Sequence, residues 1–296
     1  MFDPVEKKVK IDGNTKLCML IGNPVEHTLS PLIHNTLASI CGHDLVYTAC
    51  CVDPGKVGDA VRGAYELGIL GLNVTVPHKI EVMEALCGVD DIAGQIGAVN
   101  TLVRTDFGYK GYNTDIYGLE RALLSEGVSL EGETAVILGA GGAARACAFL
   151  CGLRGASRVY ILNRSVGKAE ELAAAVNDFS GSSICTPLPL NEYERISIDS
   201  LIAFQATSIG LYPDVDRAVI DDEAFYKRIR FGFDLIYKPA KTQFMKLVRG
   251  GGGECACGLK MLMYQGIAAY EMWNDMSVDD EQARVVYSVL TEAAYR

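Results

Sequence analysis

Two glycines and an alanine stand at the spacing of a dinucleotide-binding turn. Gly139, Gly141 and Ala144 fit G-x-G-x-x-A, directly after the apolar run TAVILG and before a helix-like stretch. In such a turn the first position allows a tight bend, the second lets backbone approach a pyrophosphate, and the third packs helix on strand. Free N–H groups at the helix N-terminus attract phosphate. Rather than a purely structural glycine turn, we predict a cofactor-binding one, comprising Gly139, Ala140, Gly141, Gly142, Ala143 and Ala144.

The end of the next apolar run indicates which dinucleotide is bound. An NAD-binding chain usually carries Asp or Glu there, whereas this chain has Asn163, Arg164 and Ser165. A guanidinium beside amide and hydroxyl donors suits a 2′-phosphate, which predicts NADP as the cofactor. Lys168 either adds to this positive charge or lies on a solvated helix face, and the sequence leaves both open.

Hydride chemistry on an alcohol also needs a group that takes the hydroxyl proton. Lys79 is the strongest candidate because it follows LNVTVP, at the C-terminal end of a predicted parallel strand, where open α/β sheets bind ligands. The blocks NVTVPHK, GAVNT and GYNTD are rich in Asn, Thr and Asp, and they either line a polar substrate site or form ordinary turns. His27 and His78 flank this site and are expected to have structural or supporting roles.

The apolar runs that position these residues predict two α/β domains. In the first third, three runs alternate with amphipathic stretches, which predicts a mainly parallel sheet over residues 17–22, 45–52 and 69–76. Four later runs predict a Rossmann-type doubly wound domain, with strands at 134–139, 158–163, 201–208 and 231–237. The C-terminal tail is rich in helix formers, and we expect its helices to return to the first domain.

These patterns set the predicted domain boundaries. Residues 1–112 with 249–296 form the substrate-binding catalytic domain, and residues 113–248 form the NADP-binding domain. A length of 296 residues agrees with two domains, because it exceeds the size at which one core usually keeps growing.

Composition argues against several classes of partner. A net charge of −10 disfavours nucleic acid and anionic membranes, and no apolar run reaches the roughly 20 residues that span a bilayer. The polar N-terminus MFDPVEKKVKIDGNTK lacks the apolar core of a secretory signal, which predicts a cytoplasmic protein whose ten cysteines are reduced. Cys255 and Cys257 are too close for the usual zinc spacing, so no metal site is predicted. Monomer and homodimer both stay open.

Nine sequence blocks together resemble one known family. GNPVEHTLSP, LNVTVPHK, GAVNT, GYNTD, LGAGGAA, NRS, ATSIG, DLIYKPAKT and GLKMLMYQG occur in this order across residues 17–273. The chain thereby resembles the shikimate/quinate dehydrogenase family. The resemblance implies NADP-dependent oxidation of shikimate at its C3 hydroxyl, which runs in biosynthesis as reduction of 3-dehydroshikimate.

The resemblance also implies a role for individual residues. The family's catalytic lysine and aspartate match Lys79 and Asp115. Its substrate-carboxylate hydroxyls match Thr28 and Ser30, with Tyr237 nearby. The residues implied to bind ring hydroxyls are Asn73, Thr75, Asn100 and Gln265. For the cofactor, the resemblance adds Thr207 and Ser208 of ATSIG to the 139–144 turn and the NRS block.

Two departures from the family pattern leave alternatives. The family usually has serine where this chain has Thr28, whose extra methyl group either narrows the carboxylate pocket or alters discrimination between shikimate and quinate. Gln205 replaces a usual asparagine, which we expect to affect only peripheral packing. The alternatives are a quinate or dual quinate/shikimate dehydrogenase, and a non-catalytic NADP-binding sensor. Retention of both Lys79 and Asp115 argues against the sensor.

Overall fold

The computed structural model describes residues 11–296. Residues 1–10, which hold most of the polar N-terminus discussed above, lie outside the described residues. The chain forms two compact units. The first unit comprises the residues up to Thr114 together with Gln265–Leu290, and the second comprises Asp115–Tyr264 with Thr291–Arg296.

The first unit is built on a mixed six-stranded sheet. Its strands are β1 Lys16–Gly22, β2 Leu45–Cys51, β3 Gly71–Val74, β4 Gly88–Val89, β5 Thr101–Thr105 and β6 Gly108–Tyr112, in the order β2-β1-β3-β5-β6-β4. The pairs β1/β2, β1/β3 and β4/β6 are parallel. The hairpin of β5 and β6 pairs antiparallel with β3. The sequence did not predict this hairpin, because the glycines of GYKGY are typical of turns.

The helices of the first unit begin and end at recognisable residues. They are α1 Ser30–Cys41, α2 Val57–Glu66 and α3 Asp91–Ile96, with a 3₁₀ turn at Glu81–Ala85. Pro31 stands in the first turn of α1, and Gly42 ends that helix at a φ of 68°, a left-handed conformation that glycine adopts readily. Asp90 caps α3 by accepting from the N–H groups of Ile92 and Ala93.

The second unit holds a fully parallel six-stranded sheet. Its strands are β7 Thr134–Leu138, β8 Arg158–Asn163, β9 Cys185–Pro189, β10 Leu201–Gln205, β11 Ile229–Asp234 and β12 Glu254–Cys257, in the order β12-β11-β10-β7-β8-β9. Numbered from β7, this is the strand order 6-5-4-1-2-3 of a dinucleotide-binding fold. The order reverses between β7 and β10, so a ligand crevice is expected at the carboxyl ends of these two strands.

The rest of the described chain supplies seven more helices. They are α4 Thr114–Ser125, α5 Gly142–Leu153, α6 Val166–Ser180, α7 Glu223–Tyr226, α8 Gln243–Gly250, α9 Leu259–Asn274 and α10 Asp280–Tyr295, with a 3₁₀ turn at Leu190–Arg195. Much of α9 and α10, residues 265–290, clusters with the first unit. Across residues 11–296 no helix is both long and apolar enough to cross a bilayer.

The units differ from the predicted boundaries near residue 249. The chain first adds β12 to the second sheet, where Glu254 pairs in register with Phe231, and only then enters α9. This edge strand has only four residues, ECAC. So short a segment has no apolar run that would predict a strand from the sequence. Its pairing with β11 therefore emerges only from the folded sheet.

Candidate active site

The polar blocks of the first unit form a buried hydrogen-bonded network. Asn73 on β3 donates from Nδ2 to the carbonyl of Asn100 (3.3 Å) and to Thr101 Oγ1 (3.1 Å). Asn100 Oδ1 accepts from the backbone N–H of Thr114 (2.7 Å) and from its hydroxyl (3.1 Å). The antiparallel register of β3 and β5 sets Asn73 opposite Thr101. All four side chains are buried, and such groups persist in a core because their polar atoms have partners.

Lys79 lies beyond β3 in a segment anchored at two points. Its carbonyl accepts from the N–H of Val99 at 2.8 Å. Next to it, the buried His78 ring places Nε2 2.8 Å from the carbonyl of Val52. Because a carbonyl can only accept, His78 Nε2 carries the proton. His78 thus acts as a structural anchor, and Lys79 is held half-buried at the carboxyl end of β3.

Two hydroxyls meet where α1 begins. Thr28 Oγ1 donates to Ser30 Oγ at 3.1 Å and accepts from the N–H of Ser30 at 3.2 Å. The N-cap residue Leu29 has no capping side chain, and Thr28 instead accepts from the first N–H of α1. The positive dipole end of this helix favours an anion near the two hydroxyls.

Thr75 and Gln265 are the remaining predicted substrate-binding residues of the first unit. A Cβ at Gly22 would lie 2.3 Å from Thr75 Cγ2, so this glycine makes room for Thr75 beside the strand. Gln265 is half-buried on α9.

Two of the predicted catalytic and substrate-binding residues belong to the second unit. Asp115 lies in the first turn of α4, directly after Thr114 of the polar network, and Tyr237 follows β11. Both side chains are half-buried, and burial raises the pKa of the Tyr237 phenol. The pairing of Asp115 with Lys79 and the role of Tyr237 near the substrate carboxylate stay predictions.

The glycine turn of the second unit presents backbone to solvent. Gly139 has a φ of 116°, and a Cβ there would lie 2.9 Å from the carbonyl oxygen of Ala206. At Gly141 and Gly142, by contrast, a Cβ would meet no described atom within 4 Å. Ala140 is half-buried, Ala143 is exposed, and Ala144 is fully buried under α5. The first glycine is therefore required by conformation, whereas the next two leave open space before a helix N-terminus.

The strand end at β8 supplies donors beside a cavity. Asn163 Nδ2 donates to the carbonyl of Ser165 at 2.9 Å, which turns the chain so that Arg164 and Ser165 are exposed. Arg164 lines a cavity of about 420 Å³, whose other walls are Leu190, Asn191, Tyr193, Val219, Ile220 and Asp221. Leu190, Val219 and Ile220 make part of the wall apolar, which suits a flat base. Arg164 adds a guanidinium that suits a ribose 2′-phosphate, and Asp221 adds a carboxylate to the same cavity. Lys168 is exposed in the first turn of α6.

Gln205 organises the loop that carries Thr207 and Ser208. Its Oε1 accepts from the N–H and the hydroxyl of Thr207, both at 2.8 Å. Its Nε2 donates to the carbonyls of Thr207 (3.3 Å) and Ile209 (3.0 Å). Sequence reasoning expected only peripheral packing here, yet this fully buried amide makes four hydrogen bonds to the loop. The signal that could have revealed this is a glutamine inside the otherwise apolar start of the predicted strand 201–208, because a buried amide needs hydrogen-bond partners.

Sequence reasoning also passed over Tyr47, which joins the polar network of the first unit. Its hydroxyl lies 2.8 Å from Asn73 Oδ1, and its ring stacks on His34 with centroids 4.1 Å apart. Among residues 11–296, no group of three or more His, Cys, Asp or Glu side chains is arranged to hold a metal ion.

Comparison with known proteins decides the family. The model of the shikimate dehydrogenase substrate binding domain matches residues 20–102. The shikimate dehydrogenase (NADP(+)) of Moorella thermoacetica is 39% identical over 269 residues, which cover 90% of each chain. The chain belongs to the shikimate dehydrogenase family. The resemblance stated from the sequence blocks is thereby confirmed.

Solved structures of shikimate dehydrogenases share the fold along nearly the whole chain. One, in complex with NADP+, superposes with a TM-score of 0.87 at 35% identity and covers 97% of this chain and 98% of its own. Another, shikimate 5-dehydrogenase from Listeria monocytogenes in complex with shikimate and NAD, gives 0.88 at 29% identity and covers 95% and 98%. The predicted α/β class, with a mainly parallel first sheet and a Rossmann-type second domain, is confirmed.

Proposed function

We propose that this chain catalyses the reversible, NADP-dependent reduction of 3-dehydroshikimate to shikimate, a step of aromatic amino acid (chorismate) biosynthesis. The observation that carries the proposal is the 39% identity, over 90% of both chains, to a shikimate dehydrogenase (NADP(+)). The two units support it, since one buries a polar network and the other has the strand order of a dinucleotide-binding sheet. In this proposal the first unit binds substrate and the second binds NADP.

The first unit supplies the polar contacts and the proton-transfer group. The Thr28 and Ser30 hydroxyls would bind the substrate carboxylate, aided by Tyr237 of the second unit. The ring hydroxyls would be bound by Asn73, Thr75, Asn100 and Gln265. In the reduction, the Lys79 ammonium would donate a proton to the C3 carbonyl oxygen as hydride adds to carbon. In the oxidation, the neutral amine would take the C3 hydroxyl proton, and the Asp115 carboxylate would orient the lysine side chain in both directions.

The second unit fits NADP by its backbone and by one guanidinium. The open space at Gly141 and Gly142, with the uncapped start of α5, suits a pyrophosphate. Arg164 with Asn163 and Ser165 would hold the 2′-phosphate, and the Thr207–Ser208 loop would contact the cofactor beyond β10. When bound, NADP supplies or accepts the hydride, while the protein orients the substrate and moves the proton.

Steady-state kinetics on shikimate and quinate, each with NADP+ and NAD+, test the proposal. We expect the highest kcat/KM with shikimate and NADP+. Higher kcat/KM with quinate would contradict the substrate, and a clear preference for NAD+ would contradict the 2′-phosphate site at Arg164. NADP binding without turnover of either substrate would instead identify a sensor.

A lysine variant tests the proposed chemistry. Lys79→Ala should lower kcat by roughly 100-fold or more, with a smaller effect on KM, because general acid–base groups act mainly in the transition state. Lys246→Ala is the control, since that side chain is 55% exposed and pairs only loosely with Asp216 at 3.7 Å. Near-normal turnover of Lys79→Ala would exclude the proposed role.

We further propose a cytoplasmic monomer or homodimer that binds neither nucleic acid nor membranes. The net charge of −10 supports the absence of polyanionic partners. Light scattering coupled to size-exclusion chromatography, with and without NADP+, distinguishes the two oligomeric states. Fractionation of the source cells tests the compartment.

A further inference from the structure

We propose that Tyr47 is a positioning residue that fixes the Asn73 amide so that it accepts, and does not donate, a hydrogen bond from a substrate ring hydroxyl. This inference deepens the proposed function and rests on it. The hydroxyl of Tyr47 donates to Asn73 Oδ1 at 2.8 Å. Ser30 also lies near this phenol. Tyr47 would thus act through Asn73.

The neighbours of Asn73 settle which way its amide faces. The carbonyl of Asn100, 3.3 Å away, can only accept, so the amide atom facing it must be Nδ2. Oδ1 then faces Tyr47, whose phenol must donate. Burial raises the pKa of Tyr47 well above its usual value, so the phenol keeps the proton it donates.

This arrangement leaves Asn73 with a defined polarity toward a ligand. Both Nδ2 hydrogens are directed to protein acceptors, the Asn100 carbonyl and Thr101 Oγ1. Oδ1 has two lone pairs, and Tyr47 uses one of them. The buried His34 ring also lies near Asn73, but neither of its nitrogens has a hydrogen-bond partner in the described structure. A substrate hydroxyl that meets Asn73 therefore does best as a donor to Oδ1. A group that cannot donate at this position, such as an ether oxygen, would face an acceptor and be rejected.

Tyr47 is held in place by groups from three directions. β2 is an edge strand, and Asn35 of α1 occupies its outer edge by accepting from the Tyr47 N–H and donating to its carbonyl, both at 2.9 Å. The ring of His34 stacks on Tyr47 with an interplanar angle of 16°, and Trp273 lies 6.1 Å away, centroid to centroid. Tyr47 is 2% exposed. Its phenol can therefore aim at Asn73 without losing conformational freedom when substrate binds.

A double-mutant cycle tests the inference with shikimate and NADP+. Tyr47→Phe keeps the stacked ring and removes only the hydroxyl. We expect it to raise KM for shikimate roughly tenfold, as for one mispaired buried hydrogen bond, while kcat stays within about twofold. KM for NADP+ should not change. In an Asn73→Ala background, Tyr47→Phe should have almost no further effect, because the group it positions is gone.

Tyr109→Phe is the matched control. Tyr109 is another buried tyrosine of the first unit, and its hydroxyl donates to the carbonyl of Ile69 at 2.6 Å, away from Asn73. It should lower Tm without changing KM for shikimate. Should Tyr47→Phe fold poorly, Asn35→Ala gives a second test, because it loosens β2 at Tyr47 and should raise the same KM in an Asn73-dependent way.

The outcomes separate this inference from the proposed function. Wild-type protein that does not reduce NADP+ with shikimate would overturn both. Active wild-type protein would overturn the inference alone if Tyr47→Phe leaves KM within twofold. An equal effect of Tyr47→Phe with and without Asn73 would also overturn it, since Tyr47 would then be merely structural.

Discussion

The predicted substrate-binding side chains of the first unit are hydrogen-bonded to one another, whereas the predicted phosphate-binding turn of the second unit presents mainly backbone N–H groups. Asn73 makes three hydrogen bonds, with Tyr47, Asn100 and Thr101 of the same unit. The turn at Gly139–Gly142 instead offers N–H groups, and no described atom would meet a Cβ at its second and third glycines. A ring hydroxyl must be met by a donor or an acceptor of fixed polarity, while a phosphate needs space and N–H groups.

Among the variants that test this difference, we expect the largest effects from glycine substitutions in the turn of the second unit. Gly139→Val combines a φ of 116° with a Cβ that would lie 2.9 Å from the Ala206 carbonyl oxygen. We expect it to lower the free energy of unfolding by roughly 2–4 kcal/mol. Gly141→Ala, at a φ of −88°, should instead keep stability and weaken NADP+ binding, because its methyl group enters the space left for phosphate.

Urea unfolding and NADP+ titration, monitored by fluorescence, separate these effects. Gly142→Ala should behave like Gly141→Ala, because a Cβ at Gly142 also meets no described atom within 4 Å. If Gly141→Ala bound NADP+ as tightly as wild type, the backbone turn would not be the phosphate site.

The two units also differ in how much of each could be predicted from sequence. The Gly139–Ala144 turn depends on six consecutive residues between a strand and a helix, so a local pattern is enough. The contact of Tyr47 with Asn73 joins residues 26 apart, on strands that flank β1 in the order β2-β1-β3. No sequence window contains that strand order. Asn73 itself was predicted, but the group that orients it required the folded sheet.

Gln205 shows a second physical reason for a missed residue. A glutamine in a buried strand reads as packing unless the path of the following loop is known. Its four hydrogen bonds arise because residues 206–209 fold back over the strand end. The edge strands β4 and β12 were missed because two and four residues carry too little hydrophobic periodicity to be recognised.

One buried titratable group in each unit predicts an opposite pH dependence of stability. In the first unit, burial lowers the pKa of His34 from 6.5 to about 3. The unfolded state then binds more protons between these values, so stability is lost as pH falls below 6.5, by roughly 3 kcal/mol at pH 4. In the second unit, burial raises the pKa of Asp234 from 3.8 to about 6, despite hydrogen bonds from Thr242 and the Ile236 N–H. Its contribution is largest below pH 4 and is lost as pH rises through 6.

Hydrogen exchange at pH 4.5 and 7, corrected for intrinsic rates, measures the protection of backbone amides in each unit separately. We expect amides of β1 to β3 to lose protection at pH 4.5, while those of β10 and β11 keep or gain it. His34→Phe should flatten the first dependence and Asp234→Asn the second. Equal loss of protection in both units would contradict the assignment of these two groups.

The cofactor-side loop offers a smaller test of how far the second unit depends on side chains. Gln205→Ala removes four hydrogen bonds and leaves loop groups without their partner, which should cost about 2 kcal/mol and raise KM for NADP+ several-fold. Asn177→Ala is a matched control, because this amide also clamps backbone, bonding the N–H and carbonyl of Cys185 at 2.8 and 3.2 Å. It should cost similar stability without changing KM for NADP+. An unchanged KM in Gln205→Ala would mean that the loop needs no side-chain support.

One partly exposed arginine in each unit gives the smallest expected effect on the free energy of unfolding. In the second unit, Arg154 makes a two-point ion pair with Glu120, at 2.5 and 2.7 Å, and both side chains are partly exposed. In the first unit, Arg104 donates to the Tyr65 carbonyl at 2.6 Å and lies 3.9 Å from the Tyr65 ring centroid. Glu120→Gln should cost under about 1 kcal/mol at low salt and less at 0.5 M NaCl, because salt screens exposed pairs. Arg104→Ala should cost about 1 kcal/mol at both salt concentrations, since its partners are uncharged. If the cost of Arg104→Ala in urea unfolding fell with salt as much as that of Glu120→Gln, the contrast between the two arginines would be wrong.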